Sequence, residues 1–280
     1  MKVVYIVNES PFYMVLVYFS LISLRRYNPK IPVEILCIRD KNQHSRQISG
    51  YKEKKLGVPW FNFSQFVHEC SKMNVIFNIV EDLDMGEEQG FTPIQRKEFV
   101  RVDGENILLL DADTFIFADI TSLFDSYKNY DIVGDKNNMK KNGVNLPICE
   151  KHFYPFNSGV ILFRNGTFQE YGRKVYDLCV NIKRENHSVG KYFSNLANKI
   201  NESVVKCMGF REELAFTTFV IENNFKSTYF DSTEVQTYKL NGPTKIFHTI
   251  TPNWYATWLK FHRAGKWHGP KKIKCKFFNR

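Results

Sequence analysis

Residues 107–110 form an unbroken apolar run that ends directly on Asp111-Ala112-Asp113, and this junction constrains the chain more than any other stretch. Four consecutive apolar residues suit a strand covered on both faces, as in a parallel sheet. Ligands of open α/β sheets bind beyond the carboxyl ends of the strands, so both carboxylates are expected at a functional edge. Two carboxylates one residue apart can reach the same hard cation. Mn²⁺ or Mg²⁺ takes oxygen ligands and leaves positions open for phosphate oxygens, and such an ion neutralises charge on a departing diphosphate.

The rest of the chain supports an α/β reading. An apolar strand is expected over 3–7, a helix over 12–26 ended by Asn28-Pro29, and a second strand over 33–38. This is a βαβ unit, the start of a doubly wound sheet. Further along, helices are expected over 64–73, 92–101, 120–127, 169–183 and 212–223, and strands over 75–80, 130–134, 160–163 and 245–248. Residues 81–90 and 136–150 read as loops. With neither repeats nor a low-complexity linker, the 280 residues are expected to form a single domain. Its parts are a first half over 1–115, a second half over 116–255 and a basic segment over 256–280.

Composition narrows the function classes. A hydrophobic share of 43% and 15% aromatics can bury a full core, which excludes wholesale disorder. Six cysteines at 37, 70, 149, 179, 207 and 275 form no C-x-x-C pair, which argues against a zinc cluster or a small disulfide scaffold. The net charge of +10 favours anionic partners. Much of it lies at the end, where Lys260, Arg263, Lys266, Lys271, Lys272, Lys274, Lys276 and Arg280 stand without an acid. That segment is either a solvated tail or a phosphate- or membrane-facing patch. The apolar stretch 14–24 is too short to span a bilayer and contains Tyr18, Ser20 and Ser23. A cytoplasmic protein, soluble or peripherally attached to a membrane through the basic C-terminus, is therefore expected, of bacterial or viral origin.

The strand followed by D-x-D in mid-chain resembles the GT-A-fold glycosyltransferases, and the phrase LLLDADTFIFADITSLF is similar to glycosyltransferase family 8, the glycogenin and bacterial galactosyltransferase group. Three further segments agree in order: Phe156-Asn157-Ser158-Gly159, Arg211-Glu212-Glu213 and Ile246-Phe247-His248. The resemblance covers residues 3 to about 254 and implies a Rossmann-like mixed sheet, mostly parallel and flanked by helices. It further implies a nucleotide-sugar donor, UDP-sugar in the first instance, and a glycan or glycoprotein acceptor, with the half over 1–115 binding the nucleotide and the half over 116–255 the donor sugar and acceptor.

The resemblance also assigns roles. Asp111, Asp113 and His248 would hold the metal, and Asp111 with Ala112 would also lie at the donor. Asn157, Ser158 and Gly159 would line the donor-sugar pocket, Gly159 letting backbone approach closely. Val7, Asn8 and Asp82, the last taken to follow the third strand, would lie near the nucleotide, with Arg96 and Lys266 as cations for its phosphates. Glu212 or Glu213 would stand near the reacting centre, although acids at a helix start are also favoured by the helix dipole. The chain departs from the family in having Glu-Glu where that group carries Asp-Gln. It also lacks Gly and Lys soon after His248, which leaves His262 as a second candidate metal histidine. Retention and inversion of configuration stay open.

Two other classes compete. A haloacid-dehalogenase-type phosphatase also carries strand-D-x-D, but then x-T, whereas Thr114 directly follows Asp113 and Phe115 stands fifth. A nucleic-acid-binding protein would suit the charge, yet the sequence carries no helix-turn-helix, zinc-finger or RNP pattern, so nucleic acid is not expected as a partner.

Overall fold

The computed structural model describes residues 1–8, 11–40, 63–83, 102–136, 140–141, 144–145, 156–172, 174, 211–237 and 240–249. In chain order the elements are β1 (Lys2–Asn8), α1 (Pro11–Tyr27), β2 (Val33–Asp40), α2 (Phe63–Ser71), β3 (Val75–Leu83), β4 (Ile107–Leu110), β5 (Thr114–Ile116) and α3 (Thr121–Ser126). There follow β6 (Ile132–Lys136), β7 (Lys140–Lys141), β8 (Val144–Asn145), β9 (Phe156–Phe163), α4 (Arg211–Glu222), β10 (Ser227–Tyr229), β11 (Val235–Thr237) and β12 (Ile246–His248). The chain divides into two compact units: one of Met1–Thr92, Leu108–Ser126 and Asp231–Arg280, the other of Pro93–Ile107 and Tyr127–Phe230.

In the first unit the strands run in the order β4-β1-β2-β3. β1 and β2 are parallel, with Val3 opposite Val33 and Asn8 opposite Ile38, and β2 continues parallel onto β3. Val3, Val4, Tyr5 and Val7 on β1 and Ile35, Leu36 and Cys37 on β2 are all buried, as continuous apolar runs in a two-sided sheet require. α1 is apolar around most of its circumference and buries Met14, Val15, Leu16, Val17, Leu21 and Leu24, together with two polar residues, Ser20 and Ser23. Its last turn is tied down by Arg25, whose guanidinium donates to the carbonyls of Ile31 at 2.6 Å, Met73 at 2.8 Å and Asn74 at 3.1 Å. Asn28, just past the helix, donates from Nδ2 to Ala118 O and accepts from Ile120 N, at 3.1 and 3.0 Å. A small second sheet, β11-β12-β5, belongs to the same unit.

The second unit carries the strand order β10-β6-β9, with β10 parallel and β9 antiparallel to β6. Its core is aromatic. Phe163 lies within 5.9 Å, centroid to centroid, of each of Phe168, Tyr171 and Phe216, and Phe156 packs against Phe216 and Tyr229 at 5.4 and 5.2 Å. The many phenylalanines of the sequence thus serve packing here, in tilted and edge-to-face pairs that suit ring quadrupoles.

The fold is α/β, mixed and mostly parallel, as expected. Several boundaries differ from the sequence reading. The strand expected from residue 160 begins at Phe156, and that expected over 130–134 is displaced to Ile132–Lys136. β3 runs on to Leu83, so Asp82 lies within the strand and not after it. The segment read as a loop over 136–150 contains the two-stranded pair β7-β8. β5, β10 and β11, each three residues long, were unexpected, being too short for a periodicity signal. The helix expected over 169–183 is helical at 167–172, and that expected over 92–101 lies outside the described residues. Among the described residues no helix is long and apolar enough to cross a membrane.

Gly134 on β6 has no room for a side chain. A Cβ there would lie 2.5 Å from Cδ1 of Phe156, a ring already held by Phe216 and Tyr229. Gly134→Ala is expected to destabilise the protein by about 1–3 kcal/mol, the usual cost of overpacking a filled core, read as a lowered midpoint in urea denaturation.

Candidate metal centre

β4 delivers the chain to the carboxyl edge of the first unit, and its four residues are all buried. A turn through Ala112 and Asp113 then leads into β5. β5 pairs antiparallel with β12 so that His248 stands opposite Thr114, Phe247 opposite Phe115 and Ile246 opposite Ile116. The pairing is extended at both ends. Phe117 N donates to Lys245 O at 2.8 Å, and Thr249 N to Asp113 O at 3.0 Å. Thr249 Oγ1 donates to the same Asp113 carbonyl at 3.2 Å. Backbone register thereby carries a histidine from 135 residues downstream (248 − 113) to the side of the D-x-D turn.

The side chains converge. His248 Nε2 lies 3.3 Å from Asp113 Oδ1 and 3.5 Å from Asp111 Oδ2, and one ligand atom from each of the three residues lies within 4.8 Å of the others. Two ligands bonded at right angles to one ion at about 2.1 Å are about 3 Å apart, so this triad needs little movement to share a divalent cation. Access is one-sided. The side chains of Asp113 and His248 are 8% and 9% exposed, whereas that of Asp111 is 50% exposed. Asp111 therefore marks the open face from which an anionic ligand could complete an ion's coordination. His248 Nδ1 is buried without a hydrogen-bond partner, so Nε2 is the nitrogen that carries the chemistry of the site.

Electrostatics bind the triad together in the metal-free protein. Burial opposes a charge on His248, but the carboxylates of Asp113 and Asp111 outweigh it and hold the imidazole pKa well above its ordinary 6.5. A cation and a proton compete for the same nitrogen, so metal binding here releases a proton.

The other residues singled out by sequence fall in several places. Val7 is buried in the core of β1, so only its backbone is open to a ligand role, and Asn8 ends that strand. Ala112 is part of the D-x-D turn. Glu212 and Glu213 open α4 in the second unit. Asn157, Ser158 and Gly159 lie on β9 of the same unit, where Asp135 pairs with Asn157 but Gly134 pairs with Ile161. Residues 158–160 thus bulge from the β6–β9 ladder, a common device for re-aiming side chains beside active sites. The buried Asn157 braces the bulge by accepting the Gly159 N–H at 3.0 Å. Arg96, Lys266 and the second-choice His262 lie outside the described residues. Sequence reasoning missed the supports of the triad, Thr114 and Thr249. The position of Thr249 next to His248 was the available signal.

This architecture is that of the GT-A glycosyltransferase fold. The chain aligns with an active-site mutant of the galactosyltransferase LgtC over 95% of its own length and 100% of that chain, at 11% identity and a TM-score of 0.51. It is also similar to the glycosyltransferase GlyE of Streptococcus pneumoniae TIGR4, at 13% identity and a TM-score of 0.49 over 96% of this chain and 66% of that one. Mouse xyloside xylosyltransferase 1 matches at 14% identity and a TM-score of 0.48, over 89% and 97% of the two chains. The fold assignment rests on the first of these. No protein-family model and no curated protein sequence matches the chain.

The metal-free triad carries a pH signature. His248 has a raised folded pKa, so the stability it contributes is fully present below the ordinary histidine value of about 6.5 and is lost as pH rises through the folded value. Chemical denaturation of the chelated protein between pH 6 and 9 is expected to show declining stability, and His248→Gln is expected to flatten that decline. An equal slope in wild type and variant would remove His248 from the account.

Proposed function

We propose that this protein is a metal-dependent glycosyltransferase that moves a sugar from a nucleotide-sugar donor to a hydroxyl of a glycan or glycoconjugate. The observation that carries the reading is the convergence of Asp111, Asp113 and His248 at the end of a buried strand. The fold shared with the LgtC structure speaks for it over the phosphatase and nucleic-acid alternatives.

Asp111, Asp113 and His248 would hold the ion. Two oxygens and an imidazole nitrogen suit Mn²⁺ better than Mg²⁺, which strongly prefers an all-oxygen shell. A divalent cation there supplies electrostatic stabilisation for the departing nucleoside diphosphate. Asp113, nearly buried and gripped through its carbonyl by Thr249, gives a fixed carboxylate, whereas Asp111 at the open face has access to the donor. Asn157, Ser158 and Gly159 are assigned to the donor sugar and Glu212 and Glu213 to the acceptor side. There one of the two takes the acceptor proton if configuration inverts. Val7, Asn8, Asp82 and Ala112 are assigned to the nucleotide, with Arg96 and Lys266 beside its phosphates. On this reading the chain acts as one catalytic domain, with UDP-sugar as the first donor to examine. The basic segment over 256–280 provides peripheral attachment to an anionic membrane surface.

The test is donor hydrolysis and transfer with a panel of UDP-, GDP- and dTDP-sugars, with and without Mn²⁺. Turnover of one donor is expected only with the metal, and Asp113→Ala is expected to lower it by at least about 100-fold, the scale of losing several kcal/mol of charge stabilisation. Failure to bind any nucleotide sugar under any metal condition would sink the reading.

A further inference from the structure

We propose that Ser20 is a positioning residue for the metal centre, the middle link of a one-way chain of hydroxyls that runs from Tyr5 through Ser20 and Thr114 to the backbone of Asp111. The inference rests on the transferase reading of the Asp111–Asp113–His248 site, which supplies its purpose, but the chain itself is a property of the first unit alone.

Four groups lie in sequence. Thr114 Oγ1 donates to Asp111 O at 2.9 Å, Ser20 Oγ lies 2.9 Å from Thr114 Oγ1, and Tyr5 OH lies 2.8 Å from Ser20 Oγ. A hydroxyl has a single proton to donate. Because Thr114 spends its proton on the Asp111 carbonyl, the Ser20–Thr114 bond is donated by Ser20, and the Tyr5–Ser20 bond is then donated by Tyr5. The direction of the whole chain is therefore forced. Burial pushes the Tyr5 phenol pKa far above its ordinary value of 10, against the opposing bond to Ser20, so the head of the chain remains a donor throughout the physiological range.

A second latch lies one turn along the same helix. Ser23 Oγ donates to Ser20 O at 2.6 Å and accepts the Ile116 N–H at 3.0 Å. α1 thus grips β5 at both of its ends, Thr114 and Ile116, while β12 pairs with the same strand and brings His248 to it. Replacing a set of paired, buried, neutral hydroxyls by apolar groups of the same shape is nearly neutral for stability. What an apolar helix gains from these serines is direction, because hydrogen bonds fix the angle of the peptide that leads into Ala112 and Asp113 and packing alone does not.

The experiment compares Ser20→Ala, Thr114→Val and Thr114→Ser, each checked for folding by its urea midpoint. Two quantities are read: Mn²⁺ affinity by water-proton relaxation, and hydrogen exchange by NMR of the Thr249 amide, which binds Asp113 O, in the metal-free protein. Ser20→Ala and Thr114→Val are expected to weaken Mn²⁺ about 10-fold, the lower end for losing an outer-shell partner, and to speed Thr249 exchange. Thr114→Ser, which keeps the hydroxyl, is expected to restore both. Folded variants with wild-type exchange and wild-type Mn²⁺ affinity overturn the proposal. If the wild type binds no Mn²⁺, the metal reading fails separately and the chain is judged on Thr249 exchange: faster exchange upholds it and unchanged exchange overturns it. Should Ser20→Ala fail to fold, Tyr5→Phe removes the head of the chain without orphaning a donor and is judged by the same two readouts.

Discussion

The antiparallel pairing of β5 with β12 is the interaction on which the candidate site depends. It is only three residues long on each side, yet it decides which histidine meets the two aspartates. A slip of one residue would turn His248 to the opposite face of the strand, because side chains alternate along a strand. The register is held by the flanking bonds from Phe117 to Lys245 and from Thr249 to Asp113. It is also held by packing, since Phe115, Ile116, Ile246 and Phe247 are all buried. A short, well-anchored strand pair thus converts a long sequence separation into contact distances of 3.3 and 3.5 Å.

The surroundings make that geometry stiff on one side and open on the other. Asp113 and His248 sit nearly out of solvent, with Thr249 holding the Asp113 carbonyl by two bonds, while Asp111 faces outward. A buried carboxylate beside a histidine is costly unless it is paired, and in the metal-free protein the pairing comes from the protonated imidazole of His248. That is also why the site suits a divalent cation: the charge balance that a proton provides can be provided by a metal at the same place. The second unit uses a different strategy. Its aromatic core fixes β6 and β9, and the bulge at 158–160, braced by Asn157, interrupts the ladder where the sequence carries Asn-Ser-Gly.

The likeness of fold to LgtC, at 11% identity, illustrates how little of a sequence an architecture demands. An apolar strand must be buried, a helix must cover it, and the strand's carboxyl end must be free for polar residues. Those demands are met here with phenylalanine and tyrosine in unusual numbers, 25 and 14, and with two serines inside the helix that covers the first strand. The proposed chemistry rests on far fewer positions than the fold.

The sequence by itself determined the class of the fold and the location of its working edge. Continuous apolar runs at 3–7, 35–38 and 107–110 force buried strands, and a D-x-D placed directly after the strongest of them has nowhere to lie but the carboxyl edge. Those inferences hold because they follow from local burial and from the period of the chain. Tertiary structure alone decided the partners. β5, β10 and β11 are each three residues long and exist only because a neighbouring strand completes their hydrogen bonds. The convergence of His248 on Asp113 is a matter of strand register between distant segments, which the sequence matched by resemblance but did not derive. Ser20 and Ser23 were visible as polar breaks in an apolar helix, but their use could not be read there. A hydroxyl acquires direction only when the fold sets its donor and its acceptor on either side of it.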